Sequence, residues 1–348
     1  MPKPKINLVN NKNNYNNLLD IVINSRKPII VAHRGASNIA PENSIPAIDE
    51  AAKMGYWGVE LDVCSSSDGV LYLLHDGTLH RTTNGHGLIT RKSSHIIDRL
   101  IINNGPNISS YPNLRLPRLE NALIECKKDK LTPIFDIKFL SNRDRDLNTF
   151  LRIVRKHGYE RKLLVHSFNY KDLEYLRSKD KTIILMPMVN PNRIIYGYRY
   201  IKSFGATEVD CNINYLNKRL VQQAHKDGLK VFCWTIDTPM DLNKALHLGV
   251  DFIYSDTFYP VIYTKKDTQV EHMGLNTSGF SGKNLSYIFV DGILNTKQQL
   301  SNSKSNMDLK GNDLKIGKHK VDIIQFNNNK TNGKVITHKT AYYEVKSK

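Results

Sequence analysis

Hydrophobic residues recur in short clusters along the first three quarters of the chain, and segments of helical period separate them. The clusters are rich in valine, isoleucine and leucine, which is typical of buried strands. They lie at residues 29–32, 58–63, 70–74, 132–137, 162–165, 182–186, 208–211, 229–234 and 252–255. The helices predicted between them span 44–54, 119–128, 143–157, 170–178, 217–227 and 239–248. Strands that alternate with helices predict a parallel sheet with crossover helices.

The number of these strand–helix units bears on the architecture. About eight units over roughly 235 residues favour an α/β fold closed into a (β/α)8 TIM barrel, with an open doubly wound sheet as the alternative. Residues 77–117 interrupt the alternation, because glycine, asparagine, serine and proline are frequent there and no strand–helix unit is recognisable. We expect this segment to be an insertion in a barrel loop, at the end of the barrel where function resides.

The predicted barrel spans residues 28–265. The regions on either side of it differ from it in sequence pattern. Residues 1–27 form an N-terminal extension that begins with a loose polar stretch and has the pattern of a short helix over 15–26. Residues 266–282 are polar and small, which predicts a linker. Residues 283–348 alternate apolar and polar positions between turn signals. They predict a small all-β C-terminal domain or, alternatively, a β extension packed on the barrel.

The charge of the chain narrows the choice of partners. The 348 residues include 50 Lys and Arg against 33 Asp and Glu, a formal net charge of +17. This surplus favours nucleic acid, an anionic membrane or a phosphate-rich wall polymer, although a basic surface can also serve solubility alone. We expect no signal peptide and no transmembrane segment, because the N-terminus is polar and the apolar runs are short. The four cysteines show no CxxC pairing and no metal-type spacing. Three of them lie in or beside apolar runs, where a free cysteine behaves as a small hydrophobic residue, so we expect no disulfide.

A histidine and an arginine stand together where the first barrel strand is predicted to end. His33 and Arg34 follow the cluster 29–32, and a second histidine, His75, follows the cluster 70–74. Histidine exchanges protons near neutral pH, and arginine offers a two-pronged donor to phosphate oxygens. Two histidines at one rim can supply an acid and a base to the same phosphate. The alternative interpretation is a loop histidine beside a surface arginine.

Acidic residues occupy alternate positions within two other strands. Glu60 and Asp62 lie two residues apart, so both point to one face of a strand, and Asp136 and Lys138 repeat this spacing. Inward carboxylates are costly unless they bind a cation, and oxygen ligands suit Ca²⁺ or Mg²⁺ rather than zinc. Asp136 is then a candidate third ligand, and Lys138 a candidate cation for phosphoryl oxygens. The alternative is an ion pair with a basic residue of the barrel.

Together these motifs resemble the glycerophosphodiester phosphodiesterase family in order and in spacing. The resemblance extends over about residues 28–263. Its motifs are His33-Arg34-Gly35, Pro41-Glu42-Asn43, Glu60-Leu61-Asp62-Val63, Asp68-Gly69, His75-Asp76, Arg81-Thr82-Thr83-Asn84-Gly85, Pro117-Arg118-Leu119-Glu120, Ser167-Phe168, Trp234-Thr235 and Gly249-Val250-Asp251. One position departs from the pattern, since the family usually has a glutamate where this chain has the shorter Asp136.

The resemblance implies a role for each of these residues. It implies a phosphoric diester hydrolase that uses one divalent cation, with Ca²⁺ favoured and Mg²⁺ possible. The implied residues are His33 and His75 as general acid and base, Glu60, Asp62 and Asp136 as metal ligands, Arg34 and Lys138 at the phosphate, Phe168 and Trp234 as an apolar substrate wall, and Glu42 and Asn43 in support.

The C-terminal region carries a second resemblance. Its stretches 286–292, 317–321 and 339–346 are similar to C-terminal modules of staphylococcal phage tail proteins. With the positive charge, this similarity leads us to expect a phage tail-associated enzyme that cleaves the polyol-phosphate diesters of host teichoic acid. The expected partners are this polymer and, through the C-terminal domain, other tail proteins, with no nucleic acid. The expected location is the virion, acting at the bacterial cell wall.

Three alternatives remain open from the sequence. A cellular enzyme, cytoplasmic or secreted, would act on small glycerophosphodiesters and release glycerol 3-phosphate. A non-catalytic protein would bind teichoic acid only, although the retention of His33 and His75 argues against it. A venom-type phospholipase D would share the barrel, but it depends on a disulfide-stabilised loop that we do not expect here.

Overall fold

The computed structural model describes residues 5–10, 28–189, 198–256, 261–301 and 303–347 of the chain. Its strands are β1 (Lys5–Asn10), β2 (Ile29–Ala32), β3 (Gly58–Ser65), β4 (Leu71–Leu73), β5 (Thr132–Ile137), β6 (Leu164–Ser167), β7 (Ile184–Pro187), β8 (Glu208–Asn212), β9 (Lys230–Trp234), β10 (Phe252–Ser255), β11 (Val261–Thr264), β12 (Val270–Ser278), β13 (Ser286–Val290), β14 (Ile293–Gln298), β15 (Ser303–Lys310), β16 (Gly317–Phe326) and β17 (Val335–Ser347). Its helices are α1 (Ile45–Met54), α2 (Ser94–Ile97), α3 (Leu119–Asp129), α4 (Arg143–Lys156), α5 (Tyr170–Lys179), α6 (Arg199–Ser203), α7 (Lys218–Lys226) and α8 (Pro239–Leu248). The helix predicted over residues 15–26 lies outside the described residues.

Eight parallel strands within the described part of residues 28–256 form a barrel. Their order around the ring is β7–β6–β5–β3–β2–β10–β9–β8, and each pair of neighbours runs parallel. The ring closes between β7 and β8, where Met188 bridges Asp210 and the N–H of Val189 donates to the carbonyl of Asp210 at 2.7 Å. Helices connect successive strands of the ring. The predicted TIM barrel is confirmed.

Apolar side chains fill the barrel, because parallel strands are covered on both faces. Val31, Ile134 and Phe232 are fully buried in one cluster at the centre. The rings of Phe232 and Phe252 stack there with centroids 4.0 Å apart. Strands β2, β5 and β10 have the bounds that their apolar clusters predict. This packing gives the strand ends a rigid base on which functional side chains can be held.

One apolar cluster, residues 70–74, lies outside the ring of parallel strands. It contains β4, which pairs antiparallel with β3 as a hairpin. The connecting turn holds Gly69 at a φ of +85°, a conformation that favours glycine. Because the hairpin folds back along β3, it returns the chain towards the carboxyl end of the barrel.

The insertion predicted over residues 77–117 has little regular structure. It contains α2 and two short 3-10 turns, Ile89–Arg91 and Ile108–Ser110. Ile89, Ile97 and Ile102 are buried in a small apolar cluster that they share with Cys64 of β3 and Tyr72 of β4. The insertion therefore packs as a compact loop region after the β3–β4 hairpin.

The ends of the barrel helices follow ordinary capping chemistry. The side chains of Asn142 and Thr238 accept hydrogen bonds from the first turns of α4 and α8. Gly249 ends α8 at a φ of +76°. The short helix α6 was not predicted, because its five residues are too few to show a clear helical period.

The chain divides into two compact units: residues 27–52 with 56–257, and residues 1–26 and 53–55 with 258–348. In the second unit, β11–β17–β16–β13–β14 form a five-stranded sheet and β1–β12–β15 a three-stranded sheet. Both sheets contribute buried side chains to one apolar core, for example Met273 and Leu275 from β12 and Ile323 and Tyr343 from the larger sheet. The second unit is an all-β sandwich.

The structure differs from the sequence prediction at two places in this unit. Residues 266–282, predicted as a linker, contain β12, and the loose N-terminal stretch contributes β1, which pairs antiparallel with β12. The apolar alternation in β12 is short, since Met273 and Leu275 are separated by glycine and flanked by polar residues. Such a pattern resembles a linker until its strand partners are known.

Two further findings concern the chain's chemistry. In the described ranges, no helix combines the length and the apolar character that crossing a membrane requires. Cys64, Cys126, Cys211 and Cys233 are buried with free thiols.

Candidate active site

The carboxyl ends of the barrel strands surround a cavity of about 170 Å³. Nine of the residues predicted from the sequence line it: His33, Arg34, Glu60, Asp62, His75, Asp136, Lys138, Phe168 and Trp234. Its lining is completed by His166, Met188, Asp210, Thr235 and Tyr254. Glu42 and Asn43, the remaining predicted residues, do not line the cavity but bind residues that do.

His33 is oriented by an aspartate that the sequence analysis did not identify. Its Nδ1 lies 2.8 Å from Oδ1 of Asp256, and its backbone N–H donates to the carbonyl of Ser255 at 3.1 Å. This contact arises because β2 and β10 pair in parallel, so the loops that follow them start side by side. Burial alone would lower the pKa of His33, but the bond to Asp256 and the charge of Glu60 raise it above its ordinary value.

His75 is held in a similar way by residues close to it in sequence. Its Nδ1 lies 2.7 Å from Oδ1 of Asp76. Arg81 donates from Nε to Oδ2 of Asp76 at 2.6 Å, and its two Nη atoms donate to Glu42, each at 2.8 Å. The hydrogen bond from Arg81 lowers the pKa of Asp76 to about 2. Asp76 is therefore ionised at neutral pH and keeps the His75 ring oriented.

Arg34 is connected to the residues that hold His75, because Glu42 binds both Arg34 and Arg81. Its Nη1 donates to Oε1 of Glu42 at 3.2 Å. Burial would raise the pKa of Glu42, but the hydrogen bond from Arg81 and the charge of Arg34 lower it. The buried Nε of Arg34 donates no hydrogen bond to a described residue, and Asp62 Oδ2 lies 3.7 Å away. A phosphate oxygen would satisfy this donor.

Glu60, Asp136 and His166 form a group that can hold a metal ion. One ligand atom from each lies within 4.8 Å of the other two. His166 Nε2 is 3.7 Å from Glu60 Oε1 and 3.8 Å from Asp136 Oδ2. Both His166 Nε2 and Asp136 Oδ1 are buried without a hydrogen-bond partner among the described residues. Buried polar atoms without partners, together with two carboxylates, fit a divalent cation.

Burial and mutual charge act on the protonation of this group. Burial raises the pKa of Asp136 to about 6. Burial alone would lower the pKa of His166, but the charge of Asp136 and the hydrogen bond to Asp210 raise it to about 10. In Glu60 the effect of burial is outweighed by His166, His33 and Lys138, and its pKa is lowered. A bound cation would add to the charges that keep these carboxylates ionised.

Asp62 lies in the same cavity but outside this three-residue group. Its Oδ2 accepts a hydrogen bond from Asn43 Nδ2 at 2.7 Å, and its backbone N–H donates to Asn43 Oδ1 at 2.9 Å. Lys138 Nζ lies 3.3 Å from Asp62 Oδ1 and also forms an ion pair with Asp136. Asp62 is therefore fixed between an amide and a cation. The sequence set of Glu60, Asp62 and Asp136 stays a prediction.

His166 and Asp210 form a pair among the residues of the cavity that sequence reasoning missed. His166 Nδ1 lies 3.0 Å from Asp210 Oδ2, and both side chains are buried. Each lies inside a short apolar strand, β6 or β8, where it resembles part of the core. A polar residue within a buried strand requires a partner, and this requirement is the signal that could have marked them.

Two aromatic residues form one wall of the cavity. The rings of Phe168 and Trp234 are nearly perpendicular, at 88°, with centroids 6.4 Å apart. Phe168 is 58% exposed, and Lys138 Nζ lies 6.0 Å from the centre of its ring. Trp234 Nε1 is buried without a hydrogen-bond partner among the described residues. An organic group beside a phosphate would meet both an apolar face and a donor here.

The arrangement has the parts that acid–base chemistry on a phosphodiester needs. Two imidazoles, each bound to a carboxylate, reach one cavity that also contains a guanidinium and an ammonium group. A proton can be taken on one side of a phosphate and given on the other. Fixed cations stabilise the charge that develops on the phosphoryl oxygens.

Comparison with known proteins agrees with this chemistry. The family model described as the glycerophosphoryl diester phosphodiesterase family matches residues 33–258. The chain belongs to this family. As a member of the glycerophosphoryl diester phosphodiesterase family it is a phosphoric diester hydrolase, and the first resemblance noted in its sequence is confirmed.

Relatives of known name match parts of this chain. The glycerophosphodiester phosphodiesterase of Caldanaerobacter subterraneus subsp. tengcongensis is 27% identical over 232 residues, which are 66% of this chain and 94% of the relative. Mouse glycerophosphodiester phosphodiesterase 1 is 43% identical over 111 residues, 31% of this chain and 33% of the relative. Residues 261–347 of this family member, which include β11 to β17, lie beyond the family match.

Solved structures of the family show the same fold. A phosphodiesterase of Oleispira antarctica, in complex with the product sn-glycerol-3-phosphate, is 25% identical with a TM-score of 0.61 and covers 67% of this chain and 94% of its own. A glycerophosphodiester phosphodiesterase of Agrobacterium tumefaciens is 28% identical with a TM-score of 0.57, covering 66% and 96%. These similarities extend over the barrel of this family member.

Proposed function

We propose that this protein hydrolyses the polyol-phosphate diester bonds of teichoic acid, as a phage tail-associated enzyme acting at the bacterial cell wall. The observation that carries the hydrolytic part is the pair of anchored histidines, His33 on Asp256 and His75 on Asp76, which line one cavity with Arg34 and Lys138. Teichoic acid is a polymer of polyol phosphates, so its bonds match the chemistry of this cavity.

The proton transfers are assigned to the two histidines. One accepts the proton of the nucleophile, a water molecule or a vicinal hydroxyl, as the new P–O bond forms. The other donates a proton to the leaving alkoxide oxygen as its bond to phosphorus breaks. Arg34 and Lys138 bind the phosphoryl oxygens, and Phe168 and Trp234 contact the polyol.

A divalent cation is proposed at the acidic end of the cavity, with Ca²⁺ favoured because its coordination tolerates irregular geometry. Glu60, Asp62 and Asp136 are the ligands expected from the sequence, and the unpartnered Nε2 of His166 fits as a further one. When bound, such an ion withdraws charge from a phosphoryl oxygen and orients the substrate. The shorter Asp136 retains the negative charge of the family's glutamate.

The observation that favours a polymeric substrate is the extra unit beyond the barrel. A complete relative from Caldanaerobacter matches 66% of this chain, so the all-β sandwich is additional to a whole enzyme of the family. A small diester does not require a second unit or a net charge of +17. The similarity of residues 286–292, 317–321 and 339–346 to phage tail modules supports the proposed virion location and tail partners.

A second candidate is a cellular enzyme that acts on small glycerophosphodiesters. It is favoured by the relatives from Caldanaerobacter and Agrobacterium, which are glycerophosphodiester phosphodiesterases matched over nearly their whole length. This enzyme would use the same cavity and the same proton transfers. The two candidates differ in the size of the molecule that is cleaved.

Digestion of purified glycerol-type teichoic acid tests the proposal. We expect glycerol phosphate products to be released, and we expect a chelator or His33→Ala to abolish their release. The matched control is His225→Ala, which removes an exposed histidine bonded to Asp251 on the outside of the barrel and should leave release intact.

The alternatives predict other results. Turnover of glycerophosphodiesters with no cleavage of the polymer would favour the cellular enzyme. Binding of the polymer without turnover of either substrate would instead support a non-catalytic wall-binding protein.

A further inference from the structure

A second groove lies at the end of the barrel opposite the catalytic cavity. It has a volume of about 490 Å³, and Trp57, Thr132, Leu164 and Ile184 line it. These residues precede or begin strands β3, β5, β6 and β7, whereas the catalytic cavity lies at the carboxyl ends. Thr132 and Asp136 are four residues apart in β5, so the two sites are separated by roughly 13 Å along the strand. The groove is therefore distinct from the catalytic cavity.

Four basic side chains line this groove and no carboxylate does: Lys127, Lys130, Arg161 and Lys162. None of the four forms an ion pair with a carboxylate of the described residues, whereas Arg81, Arg118, Arg143 and Arg145 each do. Lys127 Nζ lies 3.5 Å from the backbone carbonyl of His157. Unneutralised cations that converge on a concave surface create a positive potential, which attracts anions.

Lys130 occupies a position where a side chain carries a steric cost. It ends α3 in the left-handed conformation, with a φ of +57°. The chain has glycine at the equivalent left-handed positions after α4 and α7, Gly158 and Gly228. Lysine is an unfavourable residue for this conformation, since only glycine adopts it without strain. The lysine nevertheless contributes its side chain to the groove.

Aromatic rings give the groove an apolar side. Trp57 is 38% exposed, and its ring packs at 5.0 Å against Phe252, while Tyr159 is almost wholly buried in the wall. Trp57 is thus fixed within a concave surface. Cations beside an aromatic face match a chain in which phosphates alternate with C–H-rich polyol units. A membrane-binding surface, by contrast, projects apolar side chains outward.

We propose that this groove is a second binding site, which holds a stretch of polyol-phosphate polymer away from the catalytic cavity. The identity of the polymer rests on the proposed function. A polymer held at one end of the barrel raises the local concentration of further diester bonds near the enzyme. The groove therefore contributes to polymer binding, whereas a small glycerophosphodiester is too short to occupy both sites.

The test is a binding measurement on the full-length chain with catalysis removed by His33→Ala. In this background Lys130→Gln, Arg161→Gln and Lys162→Gln are combined, and the Kd for purified glycerol-type teichoic acid is measured by calorimetry. We expect the Kd to rise at least about tenfold, because three charge-assisted contacts are lost. The control combines Lys218→Gln, Arg219→Gln and Lys226→Gln on α7, which removes the same charge from exposed positions and should leave the Kd nearly unchanged.

Each other result overturns the proposal. Equal losses in the groove and control variants would mean that net charge alone binds the polymer. An unchanged Kd in the groove variant, with its Tm also unchanged, would show that the groove does not bind the polymer. A parent protein that binds no polymer would contradict the proposal as well. If the groove variant lost binding to phosphatidylglycerol vesicles and not to the polymer, the groove would be a membrane site.

The failure of the proposed function can be recognised separately. The chain with His33 intact is incubated with the polymer, and its products are measured. If it cleaved no polymer while the groove variant still lost polymer binding, the proposed function would fail and the second site would stand.

Discussion

Asp256 accepts a hydrogen bond from His33 at 2.8 Å across 223 positions of sequence. The aspartate also accepts a hydrogen bond from Ser37 Oγ at 2.9 Å. It thus fixes the ring of a histidine whose other nitrogen lies 3.9 Å from Glu60. This pairing makes Asp256 a positioning residue for proton transfer.

Replacing Asp256 should slow turnover more than it weakens binding. We expect Asp256→Asn to lower kcat on the order of 10²-fold, because an incorrectly oriented imidazole transfers protons poorly. KM should change little, since Asp256 does not line the cavity. Steady-state kinetics on a small glycerophosphodiester measures both. The control Ser37→Ala keeps the carboxylate and should have a much smaller effect, and equal effects of the two variants would contradict the assignment.

Arg81 should affect catalysis although it does not line the cavity. Arg81→Gln removes the bonds to both Asp76 and Glu42, so His75 and Arg34 lose their common anchor. We expect kcat to fall about tenfold, as the loss of a charged hydrogen bond implies. Kinetics beside Arg91→Gln, an exposed arginine of the same insertion, tests this. An activity equal to that of the control would show that the network does not position His75.

Calcium should stabilise the protein through the cavity and not through the other acidic group, formed by Asp49, Glu125 and Asp129. At a hundredfold excess over Kd, a bound ion contributes about 2.7 kcal/mol, which corresponds to a rise in Tm of about 5–10 °C for the barrel. We expect Asp136→Asn to abolish this rise and Glu125→Gln to preserve it. Thermal unfolding with chelator and with Ca²⁺ measures both. If Glu125→Gln abolished the rise in Tm and Asp136→Asn preserved it, the ion would instead be assigned to the group that contains Glu125.

Asp49 should make stability depend on pH. Partial burial and the neighbouring charges of Glu125 and Asp129 raise the pKa of Asp49 to about 7. The folded state therefore binds this proton more tightly than the unfolded state. The resulting stabilisation is fully present below about pH 4 and is lost as the pH rises through about 7.

Neutralising Asp49 should reveal this effect. We expect Asp49→Asn to have a higher Tm than the parent at pH 8, and the difference to shrink as the pH falls towards 5. Thermal unfolding across this range measures the difference. Asp144→Asn removes an exposed carboxylate paired with Arg143 and should not reproduce the pH dependence. A difference in Tm that is constant with pH would exclude titration of Asp49 as its cause.

The sequence predicts the barrel well because its strands are continuous apolar runs. Residues 132–137 are an example, since an apolar run with a single inward carboxylate gave the bounds of β5. The run that contains β4 is also largely apolar, yet it forms a hairpin with β3. Composition alone does not distinguish a ring strand from a hairpin strand, because both are buried on both faces.

The site is predicted where its residues belong to local motifs and missed where topology brings them together. His33, Glu60 and His75 lie in short recognisable motifs. Asp256 and His166 do not, because each acts through a partner that lies far away in sequence. Only the order of strands around the ring brings such pairs into contact.

The contact between β7 and β8 involves fewer described backbone pairs than the contact between β3 and β5. Among the described residues it consists of the bridge from Met188 to Asp210 and the hydrogen bond from Val189, whereas β3 and β5 pair over six residues. Native-state hydrogen exchange is fastest where few backbone bonds must break. The amide of Val189 should exchange before those of β5. Asp210, the partner of His166, thus lies at a contact between strands that few described backbone hydrogen bonds hold.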